Sequence, residues 1–136
     1  MGSYIAQSDI ESCFGATNIA RWSNLDNVTV TADTARISIA IAVAEDHVEN
    51  RFRDGKYLLP FVSRGGILYK VKDWCSKLAG IWLYEHRGLS DENEEGNLLE
   101  AMRKNVEKEM DKYLAGEATL NAELAEAGSA GAPVVV

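Results

Sequence analysis

The chain is poor in the residues that staple or chemically equip a small protein. Its 136 residues include only two cysteines, two prolines and two histidines. Cys13 and Cys75 lie far apart, without metal-type spacing and each among apolar neighbours. Both are expected to be small buried hydrophobes in a reducing cytoplasm, with a disulfide between them as the alternative. No run of 18 apolar residues occurs, so no transmembrane helix or membrane partner is expected. The opening Met-Gly-Ser-Tyr has neither a basic n-region nor an apolar h-region, and no signal peptide is expected. There is no glycine-rich phosphate loop and no EF-hand. His47 stands among Glu45, Asp46 and Glu49, but no second histidine or cysteine is placed to complete a metal site, so a polar helix face is expected there. His86 sits at a helix C-terminus, where the dipole favours it. No catalytic, cofactor-binding or metal-binding residues are therefore expected, and the chain reads as a non-enzyme. Basic excess is missing too: a net charge of −7 and a pI near 4.8 argue against a general nucleic-acid binder.

What is present is ordinary globular material, 46 % hydrophobic and 26 % charged, in a length that suggests one domain with a real core. The charge is uneven: residues 57–89 are mildly basic and residues 90–136 acidic. These read either as solvated helix faces or as surfaces through which one subunit meets the next.

The apolar spacing predicts a mainly α fold, a small bundle of about four helices over residues 4–116. A first helix at 8–14 is expected to be capped by Ser8 with Glu11, with Ile10, Cys13 and Phe14 facing inward; a further short helical piece is expected at 18–22. The second helix should start at a Thr31 or Asp33 cap and run to about Arg53. Ile37, Ile41, Ala44, Val48 and Phe52 form its stripe. Ile39 and Val43 broaden that stripe onto a neighbouring face, which predicts a central helix or one that contacts another subunit. Asp54-Gly55 ends it, and an extended segment from Tyr57 to Phe61 follows, since Pro60 disfavours helix at Leu59. A third helix, 67–86, should turn a broad apolar face of Val71, Trp74, Cys75, Leu78, Trp82 and either Tyr84 or Leu83 inward. Gly80 within it costs about 1 kcal/mol against alanine and suggests a close helix approach. A fourth helix should begin at a Ser90 cap and stop at Gly116, burying Leu99, Met102, Val106, Met110 and Tyr113. Residues 117–136 lack apolar mass. They read as a flexible C-terminal arm, with a weak helix at 119–127 and with Val134, Val135 and Val136 suited to strand addition on a partner.

The interesting surface is the protruding loop between the second and third helices. Tyr57 beside Arg51, Arg53 and Lys56, followed by Leu58 and Pro60, has the composition of an interface hot spot. The alternative is a loop tyrosine packing back on its own helices.

Four stretches, taken in order, carry a family likeness: Tyr4-Ile-Ala-Gln-Ser-Asp-Ile10 followed by Phe14-Gly15; Gly55-Lys-Tyr-Leu-Leu-Pro60; a helix with Ala79, Leu83, Tyr84 and Arg87; and a last helix closing with Leu114-Ala-Gly116 and Leu120. Together they resemble the Mu-like head–tail connector family of tailed phages and prophages, over about residues 4–120. Lys56 stands where that family's Gly-Arg-Tyr-x-Leu-Pro segment has arginine, and Arg64-Gly65-Gly66 occupies a place where proline is often found. The resemblance implies a structural virion protein made in the bacterial host cytoplasm and placed at the virion neck. There it would form a ring, possibly twelvefold, under the portal protein. It would extend the DNA channel without specific DNA binding and offer a platform to the next neck or tail-completion protein. The acids of the 91–95 cluster would then line the lumen. A tail-completion or terminator protein and a small helical host regulatory or binding module are the rival readings.

Overall fold

A computed structural model describes residues 2–26, 29–87 and 94–124. It is mainly helical, with five helices: α1 (Gln7–Phe14), α2 (Ala16–Trp22), α3 (Thr34–Phe52), α4 (Tyr69–Glu85) and α5 (Glu94–Leu114). The count exceeds the expected four because Gly15, at φ 91°, breaks the first helical stretch and the piece after it is a helix in its own right. No strand occurs among the described residues, only two isolated antiparallel bridges.

α4 is the hub: α1, α2, α3 and α5 all pack on it, α3 most extensively. Its sequence explains the role. Val71, Trp74, Cys75, Ala79, Ile81, Leu83 and Tyr84 are buried around most of its circumference, while Leu78 and Trp82 are half-buried. A helix apolar on several sides cannot lie on a surface. α3 is the amphipathic partner. Asp33 caps it by accepting from the backbone N–H groups of Ala35 and Arg36 at 3.1 and 3.2 Å. All five residues of its expected stripe are buried, together with Ala40.

α1 begins one residue earlier than expected and by a different device. The Asp9 carboxylate accepts the Ala6 N–H at 2.8 Å, and Ser8 caps nothing. Cys13 is exposed and not buried as expected, because the turn at Gly15 aims Phe14 and Ile10 at the core and leaves Cys13 outward. Cys75 is buried, and burial pushes its thiol pKa well up. At the far end Gly116, at φ 83°, takes the left-handed conformation that ends α5, and the Glu117 N–H returns to the Lys112 carbonyl at 3.0 Å. The expected Ser90 cap lies outside the described residues.

α5 is fastened to α4 by polar contacts as well as by Val106 and Met110. The Trp74 indole N–H and the Lys70 ammonium both donate to the Glu109 carboxylate, at 2.7 and 2.9 Å. Burial raises the Glu109 pKa, but the hydrogen bonds from Trp74 and Lys70 outweigh it and hold the group below its ordinary value. A depressed folded pKa contributes stability above the unfolded value, and that stability is lost as pH falls through the folded value. The expected result is that Glu109→Gln flattens the acid limb of a stability–pH curve, read by tryptophan fluorescence below about pH 4.5. An unchanged acid limb would count against the assignment.

Candidate assembly surface

The stretches that carried the family likeness lie far apart in sequence and meet in space. Residues 3–5 lie along α3, where the Glu45 carboxylate accepts the backbone N–H groups of Ser3, Tyr4 and Ile5 at 2.9, 2.7 and 3.0 Å. The Tyr4 hydroxyl donates to Glu49 and accepts the Phe61 N–H at 2.9 Å, so one side chain ties the N-terminus, α3 and the loop after α3 together. Burial first, and then the bond to Glu49, push the Tyr4 pKa far up, so the hydroxyl stays protonated and keeps donating. On α4 and just beyond it, the Arg87 guanidinium lies 3.6 Å over the Tyr84 ring and donates to the Tyr84 carbonyl. The arginine of that stretch is therefore a buried clamp on the helix end.

The loop packs back on its own helices. Tyr57 is 3 % exposed, its ring against Phe52 and Phe61, and it is not available as a surface hot spot. Its hydroxyl accepts the Leu120 N–H at 2.7 Å. The start of the expected arm is thereby held on the loop. Leu58 donates to the Glu123 carbonyl, Glu123 to the Val62 carbonyl and Arg64 to the Asn121 carbonyl, with antiparallel bridges at Tyr57–Leu124 and Ser63–Ala122. Leu120 and Ala122 are buried. Residues 117–124 therefore form no helix and are ordered on this chain itself, because Leu120 and Ala122 alternate inward against Asn121 and Glu123 outward. Tyr57→Phe is expected to cost about 1 kcal/mol and to raise hydrogen exchange at the Leu120 amide selectively; unchanged protection there would show that the bridges alone hold the segment.

Of the other residues singled out from sequence, Arg51, in the last turn of α3, pairs with Glu107 and Asp111 of α5. His47 meets the same Glu107 at 2.8 Å, which gives that polar face its partners. Arg53, Lys56, Leu58 and Pro60 are exposed, with Lys56 5.6 Å from the Tyr57 ring centroid. Val134, Val135 and Val136 lie outside the described residues, and so do the side chains of the 91–95 acidic cluster. Among the described residues no group of three or more His, Cys, Asp or Glu is arranged to hold a metal, and no helix is long and apolar enough to cross a membrane.

Among the described residues two apolar patches stand out, beside a further groove on α5 at Leu98, Met102 and Val106. The first lies on the loop and the start of α4: Leu58, Val62, Ile67 and Tyr69 are exposed, Tyr69 by 72 %. Beside them runs a groove of about 340 Å³ lined by Gly65–Val71, Tyr113 and Thr119–Asn121. Val62, Ile67 and Tyr69 were not picked out from sequence. Their signal was alternation, with Phe61 inward and Val62 outward, in a stretch too short to read alone. The second patch is on α3, where Ile39 and Val43 are 51 % and 43 % exposed. It adjoins a groove of about 260 Å³ floored by Leu78 and Trp82 and rimmed by His47, Arg103 and Glu107. The two grooves share no residue. Tyr69 and Trp82 are 13 positions apart on one helix, which separates the patches by roughly 20 Å.

The sequence model of the family described as "Bacteriophage Mu, Gp36" matches residues 4–136. No curated protein matches the chain.

Proposed function

The chain belongs to the bacteriophage Mu Gp36 family, and from that premise we propose that this Mu-like phage protein is a head–tail connector subunit. It forms a ring between portal and tail and extends the channel through which DNA passes. The observation that supports the reading beyond family membership is the pair of unlike apolar patches on one subunit. A closed ring is built from heterologous contacts, in which one patch of each subunit meets a different patch of the next. Exposed apolar groups gathered into patches, and not scattered singly, are characteristic of association surfaces. The fold suits a ring subunit, because the loop that carries the first patch is tied down by Tyr4 at Phe61 and by the 120–124 segment along residues 57–65. It therefore presents its surface with little entropy left to lose.

The reading assigns this protein the virion neck as its place and the portal and the next neck or tail-completion protein as its partners. It predicts that purified protein co-sediments saturably with the portal ring of the same phage and adds a collar visible by negative stain. Tyr69→Glu and Val62→Glu, both on the exposed patch, are expected to abolish the collar while leaving helix content unchanged. Absence of a collar on a portal that accepts another neck protein would sink the reading in favour of a tail-completion or regulatory role.

A further inference from the structure

The exposed face of α3 is self-complementary. Ala35, Ser38, Ile39, Ala42, Val43 and Asp46 all point to solvent, and nothing among the described residues covers Ile39 or Val43. Arg36, Ile39, Val43, Asp46 and Asn50 follow three-four-three-four spacing, the seam of a helix that pairs with another helix. The cation stands at one end of the apolar pair and the anion at the other. If a second α3 is laid antiparallel with its midpoint at Ile41, Ile39 faces Val43 of the partner subunit and Arg36 faces Asp46 of the partner subunit, and each contact occurs twice. The small side chains of Ala35, Ser38 and Ala42 let the two backbones approach closely. Both side chains reach the surface. Asp46 is exposed, and among the described residues it accepts from Asn50 at 3.0 Å. Arg36 lies half-exposed over Trp82, with its guanidinium 5.7 Å from the ring centroid, one amino group on the His86 carbonyl and its Nε buried against its own chain.

We propose that this face is a twofold, antiparallel α3–α3 contact through which the free chain pairs with a second copy of itself. The proposal does not rest on the connector reading. A ring contact is heterologous, whereas this one is isologous. It occupies the α3 patch, so in a ring that uses this patch the pair must first come apart. A contact of one helix pair, widened only by Leu78 and Trp82, is at the small end of specific interfaces, below roughly 1,200 Å². The dimer is therefore expected to be weak, with a Kd of micromolar order.

The test is sedimentation equilibrium of the full chain over a range of micromolar concentrations. Asp46→Arg and Arg36→Asp, each of which makes both twofold-related pairs repulsive, are expected to weaken the dimer by about tenfold or more, and the double variant to restore it. Arg36 also supports Trp82, so a second measurement guards against misfolding. In a Cys13→Ser background, Ile39→Cys and Val43→Cys chains are mixed and oxidised. The expected product is a disulfide-linked pair that forms efficiently only from the mixture, since position 39 faces position 43. A chain that stays monomeric throughout, a dimer indifferent to both charge reversals, or equal cross-linking by Ile39→Cys chains alone would overturn the proposal.

Discussion

Replacing Glu45 by alanine is expected to detach residues 2–5 from the molecule and to cost about 2–4 kcal/mol of folding stability. Glu45 is 8 % exposed, and its carboxylate accepts three backbone N–H groups, from Ser3, Tyr4 and Ile5. Hydrogen bonds to a charged acceptor contribute about 1.5–3 kcal/mol each when measured by deletion. The three do not add, because the segment has an escape: once released it meets water. The loss is therefore bounded by what the segment itself contributes, namely burial of Ile5 and the Tyr4 ring set edge-on to Phe61 at 5.8 Å. Two features separate this from generic destabilisation. Release of Tyr4 also frees the Phe61 N–H, so amide exchange should accelerate at Phe61 as well as at residues 3–5, although Phe61 is far away in sequence. Glu45→Gln keeps one carbonyl acceptor and should fall between. If Glu45→Ala lost stability with Phe61 still protected, Tyr4 would not be the link between the N-terminus and the loop.

How far the fold was legible follows from which residues announce themselves locally. α3 could be read almost to the residue, because a capping aspartate, a five-residue stripe and Asp54-Gly55 all act within a turn or two of where they stand. α5 could be read equally well between Leu99 and Gly116. Glu45 was not legible. An acid in a run of acids reads as solvent-facing, and only the return of the N-terminus, some 40 residues away in sequence, turns it into an acceptor for three amides. Tyr57 had two readings, outward or packed back, and the choice depended on Leu120, whose N–H needs an acceptor there. The weak helix expected at 119–127 does not form over residues 119–124, where it can be followed, for a physical reason: alanine, leucine and glutamate favour helix in isolation, but Leu-Asn-Ala-Glu-Leu also alternates. The hydrogen-bonding groups of the loop at Leu58, Val62 and Arg64 decide for the extended form, an instance of tertiary context overriding propensity. The candidate surface was half visible. Ile39 and Val43 stood out as a second apolar face. The outward set around Tyr69 did not, because each of its members is a single exposed residue in an irregular segment.

Gly80 gives the sharpest remaining test, since its substitution should change sign with a second residue. A Cβ built at Gly80 would fall 2.1 Å from Cε2 of Phe14 and 2.5 Å from Cδ2. Those distances are impossible without movement, so the ring must swing away. On its other side it is held by Trp22 at a centroid separation of 5.4 Å, and Trp22 in turn meets Tyr84 edge-on at 5.2 Å. Overpacking of this kind costs about 1–3 kcal/mol. Alanine also gains about 1 kcal/mol in helix propensity over glycine. The clash should win, and Gly80→Ala is expected to lower stability by about 1–2 kcal/mol. Phe14→Ala alone should cost about 3 kcal/mol by leaving a cavity between α1 and α4. In that background the obstacle is gone, and Gly80→Ala should become stabilising by up to about 1 kcal/mol, its propensity gain standing unopposed. The double-mutant cycle, measured by urea unfolding, would then report a coupling of about 2 kcal/mol between residues 66 positions apart. Additive effects would mean that the glycine is kept for its backbone alone and that the approach of α1 to α4 is looser than the Phe14 contact requires.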